Sequence, residues 1–239
     1  MKKHFISFAD SKFLGTLNRI ESQAINSNFF DSVETFNENL LSDDIKQYCI
    51  ENTNRGFGFW IWKPILIKEY LKKINFGDLL LYCDAGCTIN SEGKQRFNDY
   101  VSMLSKDDDD DIITFNMYAN LEKFWSKMDI FLFFNSENLM DTGQIGATSI
   151  FLKKTEKTIK LIDEWAHICV NYRNLLDDSK SKSNESDVFI ENRHDQSIFS
   201  MVAKKYKTIQ LPDETYMIVN GNHKNFDNKY PIQGTRIKF

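Results

Sequence analysis

Apolar residues in this chain come in short bursts whose period changes from one burst to the next. Leu79 to Cys83 runs without polar alternation, so both faces of that strand should be covered, as in the parallel sheet of an α/β protein. His4 to Ala9 reads as a first strand ending at Asp10, and Ser11 to about Asn26 follows with helical spacing. Phe29 to Phe36 reads as another strand, and Ser42-Asp43-Asp44 as the start of a helix over Ile45 to Glu51. Pro64 suits the first turn of a helix running to about Ile74. Asn90 to Leu104 is expected to be helical, Ile112 to Met117 a strand, and Glu122 to Phe134 an amphipathic segment. The stretch Thr142 to Leu152 opens with small, turn-prone residues and ends as an apolar strand. In the best helix, Thr155 to Leu176, Ile159, Ile162, Ala166, Cys169 and Val170 recur at near-helical spacing behind a capping residue. Ile198, Val202 and Tyr206 share one face of a short helix after Asp195, and Thr208 to Leu211 closes the regular part as a strand. Strands and helices interleave without an internal repeat, which predicts one α/β domain: a mixed, mainly parallel sheet flanked by helices.

With 239 residues, 41% of them hydrophobic, the chain is long enough to bury a sizeable core. A net charge of −4, with 30 Lys and Arg spread along the chain, supplies no basic field for nucleic acid. Apolar runs such as Ile130 to Phe134 are too short to span a membrane, and the amino terminus lacks a signal-peptide core. The expectation is a cytoplasmic protein, at most peripheral to a membrane, whose oligomeric state the sequence leaves open. Cys49, Cys83, Cys87 and Cys169 include no Cys-x-x-Cys pair and read as reduced, buried thiols. Cys83 and Cys87 invite a zinc reading, but His4, His167, His194 and His223 are scattered. The aspartates Asp107 to Asp111 lack the spaced oxygens and glycine of a calcium loop and read as a solvated turn. Asp177 to Asp187, with one long polar run, reads as a flexible excursion of the kind that can form a lid.

No phosphate loop, dinucleotide turn, nucleophile elbow or zincin helix occurs. What remains is a lone carboxylate, Asp84, at the end of an apolar strand and followed by Ala85-Gly86-Cys87. Open parallel sheets bind ligands outside the carboxyl ends of their strands, where an ionised side chain reaches solvent. Asp10 ends another strand, the aromatic loop Arg55-Gly-Phe-Gly-Phe-Trp-Ile-Trp-Lys63-Pro64 brings two cations, and His194-Asp195-Gln196 precedes a helix. Such a set suits an anionic, diphosphate-like ligand bridged by a hard cation. Each residue has a plainer role open to it: Asp84 as a turn cap, Asp195 as a helix cap, Lys63 as a surface lysine, Trp60 and Trp62 as packing, Gln144 in a turn.

Taken together, Trp62-Lys63-Pro64, Leu80-Leu81-Tyr82-Cys83-Asp84-Ala85-Gly86, Thr142-Gly143-Gln144, His194-Asp195-Gln196-Ser197 and Leu211-Pro-Asp-Glu-Thr-Tyr216 resemble bacterial and viral glycosyltransferases of the GT-A fold. The resemblance covers most of the chain from Arg55 onward. It implies a Rossmann-like fold, with residues 1–118 as the nucleotide-binding half and 119–239 as the acceptor and sugar half. It also implies transfer of a sugar from a nucleotide-diphosphate donor to a glycan or other hydroxyl acceptor. In that family an Asp-x-Asp motif binds a divalent metal and the diphosphate, and here its equivalent is Asp84-Ala85-Gly86, with glycine at the second acidic position. One carboxylate, two phosphate oxygens and waters would then make the shell of a Mn²⁺ or Mg²⁺ ion at Asp84. On the same footing Lys63 and Arg55 would stabilise the leaving diphosphate, Asp10 would hold base or ribose, Gln144 and Gln196 would border the donor, and Asp195 with His194 would stand at the transferred sugar. Two rival readings are a sugar-phosphate nucleotidyltransferase, which the absence of a glycine-rich basic loop disfavours, and a catalytically silent carbohydrate-binding or scaffold protein.

Overall fold

The computed structural model describes residues 1–106, 110–216, 218–219, 222–223 and 229–239. In chain order the strands are β1 (Lys3–Phe8), β2 (Ser32–Phe36), β3 (Leu79–Cys83), β4 (Thr88–Ile89), β5 (Ile112–Leu121), β6 (Gly143–Ile145), β7 (Ser149–Lys153), β8 (Ile209–Pro212), β9 (Ile218–Val219), β10 (Asn222–His223) and β11 (Ile232–Gln233). The helical elements are α1 (Leu14–Ser27), α2 (Asp43–Glu51), α3 (Gly56–Phe59), α4 (Trp62–Lys73), α5 (Lys94–Leu104), α6 (Glu122–Trp125), α7 (Met128–Phe134), α8 (Glu156–Asn171), α9 (Arg173–Leu176) and α10 (Asp195–Lys205).

The central sheet has seven strands in the order β2-β1-β3-β7-β5-β6, with β8 also paired to β5. β1, β2, β3, β5 and β8 all run one way, and β7 and β6 run against them. This is the mixed, mainly parallel α/β arrangement expected. Both faces of β3 are covered, as its apolar run predicts. Leu79, Leu81 and Cys83 point into a core shared with Leu17 and Ile20 of α1 and Phe97 and Tyr100 of α5. Leu80 and Tyr82 point the other way, toward Leu66 and Ile67 of α4, Trp165 of α8 and Ile198 of α10. Each such side chain contributes about 1.5–3 kcal/mol by burial. The sheet also sets the site: β1 and β3 are parallel neighbours, so the turns bearing Asp10 and Asp84 emerge at the same edge.

Several segments differ from the sequence expectation for local reasons. Glu122 to Phe134 forms two helices, α6 and α7, with Glu122 at the start of the first and Ser126 and Lys127 between them, all buried and tied to Lys204, Gln144 and Asn174. The long helix stops at Asn171, although its start is as expected, with Thr155 and Thr158 forming a reciprocal cap. The excursion after α9 is pinned to the start of α7: Asp129 accepts from the Lys182 and Ser183 amides, and Glu185 from the Met128 amide. Within the aspartate run, Asp107 to Asp109 lie outside the described residues. Asp111 is buried and not solvated, holding Lys153 at 2.9 Å and Thr155 Oγ1 at 2.8 Å. All four cysteines are free and buried. Among the described residues no helix is long and apolar enough to cross a membrane.

Candidate functional site

The aromatic loop before α4 folds into a left-handed turn. Gly56, Phe57, Gly58, Phe59 and Trp60 have φ of 59°, 48°, 77°, 56° and 59°. L-residues lose about 1–2 kcal/mol each in this conformation, so three aromatic residues held there are strained. Glycine is required at both of its positions. A Cβ on Gly56 would lie 2.2 Å from the Trp60 ring, and one on Gly58 would lie 2.6 Å from Cys49 Sγ. The turn is closed by the Phe59 amide donating to Arg55 O at 2.8 Å and the Trp60 amide to Gly56 O at 3.2 Å. Its outcome is that Trp62 stacks on Phe8, ring centroids 3.9 Å apart, and Lys63 is turned inward on the first turn of α4.

Lys63 is 3% exposed, so the surface-lysine reading does not hold. Its Nζ lies 3.0 Å from Asp195 Oδ2 and 3.1 Å from Asp84 Oδ1, and donates to Ala147 O at 3.2 Å. One buried ammonium therefore joins the carboxylate after β3 to the carboxylate that opens α10. Burial alone would lower the Lys63 pKa, but Asp195 and then Asp84 outweigh it and hold the amine above its ordinary value. Asp195 is 3% exposed, and burial pushes its carboxyl up to about 7, with Lys63 opposing and Asp84 adding to the rise. It does not cap its helix: the cap position belongs to His194, at φ 55° and ψ −123°. Although Asp195 Oδ2 is in ion-pair range of Lys63, no donor is aligned on it as a hydrogen bond. Asp84 is the accessible member, its side chain 29% exposed, and its Oδ1 also accepts from Tyr82 OH. Burial, then the Asp84 charge, pushes the Tyr82 phenol far up, so it remains a donor.

The other expected residues fall into distinct places. His194 is buried between Trp60 and Phe59, centroids 5.6 and 5.0 Å away. Burial holds its imidazole below the usual value, which leaves it neutral. Nδ1–H then donates to Leu176 O at 2.8 Å, and Nε2 accepts from Arg55 Nε at 2.9 Å. Arg55 also donates to Glu191 at 2.6 Å, so it reaches Asp195 only through His194. Gln196 Oε1 accepts from the Ala147 amide at 3.2 Å, and its Nε2 donates to Gln144 Oε1 at 2.7 Å. Gln144 is fully buried, its Nε2 facing Glu122, Ser126 and Ser197 at 3.3, 3.2 and 3.3 Å. The two glutamines thus border the site from behind and fix the Ala147 peptide that holds Lys63. Asp10 follows β1 and accepts from the Lys12 amide at 2.9 Å, out of contact with the Lys63 cluster. The Ala85 carbonyl accepts from Arg19 at 2.8 Å.

Gly86 bears on the metal. Its carbonyl accepts from Thr235 Oγ1 at 3.0 Å and the Ile237 amide at 3.1 Å, and a Cβ there would lie 3.4 Å from Arg236 Cα. A side chain at this position would face the carboxyl-terminal segment. Mg²⁺ takes six oxygens and Mn²⁺ prefers oxygen-rich sites, yet Asp84 offers a single oxygen beside an ammonium already at 3.1 Å from its other one. Among the described residues, no three of His, Cys, Asp and Glu come together to hold a metal. The residues present do not fit a resident Mn²⁺ or Mg²⁺ ion.

Sequence reasoning missed Arg19, Arg193 and Arg236 at this edge, whereas Tyr82 and Tyr216 stood in the segments that carry the resemblance but had no role assigned. Arg193 alone carried a signal, as the neighbour of His194-Asp195.

No family model and no curated protein matches the chain. Solved structures do. A glycosyltransferase involved in glycosylation of the major capsid of PBCV-1 superposes with TM-score 0.52 at 11% identity, over 90% of this chain and 84% of that one. Mouse xyloside xylosyltransferase 1 follows with TM-score 0.45 at 12% identity, covering 90% and 87%. The glycosyltransferase GlyE of Streptococcus pneumoniae has TM-score 0.41 at 11% identity, covering 90% of this chain and 46% of that chain. The first of these shows that the chain has the fold of a glycosyltransferase.

Proposed function

We propose that this protein is a glycosyltransferase that takes its sugar from a nucleoside-diphosphate donor and passes it to a hydroxyl of a glycan or related acceptor. The observation that carries this reading is the Asp84–Lys63–Asp195 bridge at the carboxyl edge of the sheet, in a fold shared with the PBCV-1 capsid glycosyltransferase. Buried ionic groups of this kind add little net stability, and ionisable groups perturbed in this way cluster at functional sites.

In this account the donor lies across the edge formed by the turns after β1 and β3, with Asp10 toward the nucleoside and Asp84 toward the sugar. The bond between the anomeric carbon and the β-phosphate oxygen breaks, and its electron pair stays on the phosphate. The acceptor oxygen bonds to the same carbon, and its proton leaves to water. Asp84, as the exposed carboxylate, orients sugar hydroxyls; Lys63, sealed behind it, fixes its position; Asp195 and neutral His194 fix Lys63 and the loop.

Thermal shift with UDP, GDP, ADP and CDP tests the donor site, because a ligand that binds only the folded state raises Tm. At least one should do so, and Asp84→Asn, which alters the sugar contact, should reduce the further shift given by the matching nucleotide sugar while leaving the starting Tm near that of the natural chain. Absence of a shift with all of them would sink the reading.

A further inference from the structure

If the diphosphate leaves without a metal, some fixed charge must receive it, and two arginines touch walls of the cleft that reaches the Asp84 turn. The Arg193 guanidinium lies 3.7 Å from the centroid of Trp125, with Met117 Sδ at 4.0 Å. Arg236, at φ 54°, holds its guanidinium 5.4 Å from the centroid of Tyr216. Met117 and Tyr216 line one cleft together with Thr148, and the Thr148 carbonyl accepts from the Asp84 amide at 2.9 Å. Each cation therefore contacts one wall residue of the same cleft, Arg193 at Met117 and Arg236 at Tyr216.

Neither arginine forms an ion pair among the described residues. Glu191, two residues from Arg193, is engaged by Arg55 at 2.6 Å. Asp213 also lines the cleft, but its Oδ1 is turned to its own loop and accepts from the Thr215 amide and hydroxyl and the Tyr216 amide. Burial lowers the Arg193 pKa to about 10; the Glu191 carboxylate opposes this and the Arg236 charge adds to it. Two guanidiniums near each other, neither in a direct ion pair, repel when the cleft is empty and are drawn together when an anion joins them. Planar five-donor forks suit phosphate oxygens, and a developing negative charge is best met by donors already in place.

We propose that Arg193 and Arg236 receive the donor's diphosphate in place of a divalent ion, so that sugar transfer by this protein is independent of metal. The proposal rests on the glycosyltransferase reading. On cleavage of the anomeric bond the electron pair goes to the β-phosphate oxygen, and the two guanidiniums neutralise it. The carboxyl-terminal segment carries half of this seat and also covers Gly86, so one segment both closes the second metal-ligand position and supplies the charge that replaces the metal.

Calorimetric titration of the full chain with UDP, GDP, ADP and CDP, once in EDTA and once with Mn²⁺, tests this. The best ligand should bind with affinities equal within about twofold in the two buffers, and Arg193→Met and Arg236→Met should each weaken it by about tenfold or more. Arg236 is exposed, so its variant remains informative if Arg193→Met fails to fold. Binding seen only with Mn²⁺, or binding unchanged in Arg236→Met, overturns the proposal and leaves the glycosyltransferase reading standing. No binding of any of the four in either buffer overturns the donor reading and this proposal with it.

Discussion

Lys63 Nζ lies 3.0 Å from Asp195 Oδ2, and each of the two residues is only 3% exposed. The pair links the strained turn before α4 to the first residue of α10, two parts of the chain far apart in sequence. Because the same ammonium also holds Asp84, the geometry of the exposed carboxylate depends on a charge that no substrate touches.

Removing that charge leaves two carboxylates facing each other. Lys63→Met should therefore destabilise the fold by about 3–5 kcal/mol, read as a fall in the urea midpoint. Adding Asp195→Asn to Lys63→Met should recover part of the loss, since it removes one uncompensated carboxylate. A double variant no more stable than the single one would show that the two do not act as a pair.

Asp195 gives stability a distinct pH signature. Its carboxyl titrates at about 7 when folded against an ordinary value of 3.8, so between these the folded state holds a proton the unfolded state has lost. Stability falls as pH rises wherever the folded state binds more protons. The contribution of Asp195 is thus fully present below 3.8 and declines as pH rises toward about 7. Subtracting the urea-unfolding free energy of Asp195→Asn from that of the natural chain should give a difference that drops across this window. A flat or rising difference would contradict the raised value.

The glutamine relay behind the site predicts a coupled loss. Gln196→Leu leaves the Ala147 amide and Gln144 Oε1 without their partners, at about 1–3 kcal/mol for each buried group left unmade. Donor affinity should fall along with stability, because Ala147 O is the third partner of Lys63. Unchanged unfolding in urea would show that water or another group replaces the amide.

Strain in the left-handed turn is open to the same kind of test. A Cβ on Gly58 would meet Cys49 Cα at 2.9 Å as well as its sulfur, and φ there is 77°. Gly58→Ala should cost about 1–3 kcal/mol, visible as a lowered Tm. A Tm equal to that of the natural chain would mean that the loop relaxes without loss.

Much of the scaffold was legible because its signals are local. The unalternating run Leu79 to Cys83 specified a strand buried on both faces, and Thr155 specified the start of α8 through its own side chain. Asp84, Lys63 and Asp195 stood out as charges at ends of apolar segments, and they do meet. What the sequence hid is long-range. Nothing local reveals that Lys63 lies between two carboxylates, since its partners are brought to it by β3 and α10. Gly143-Gln144 looked like a turn beside the site, whereas Gln144 is buried in a polar network with Glu122. Arg236 could not be placed either: its position follows from the carboxyl-terminal segment folding back over Gly86.

The central claim, sugar transfer from a nucleotide donor, is tested most directly by incubating the protein with a panel of nucleotide sugars and measuring nucleoside diphosphate release by mass spectrometry. One donor should be turned over by the natural chain, and Asp84→Asn should lower that rate by about 10²-fold or more while the protein stays folded. Turnover of no donor would contradict the account, and so would a donor cleaved equally well by the natural chain and by Asp84→Asn.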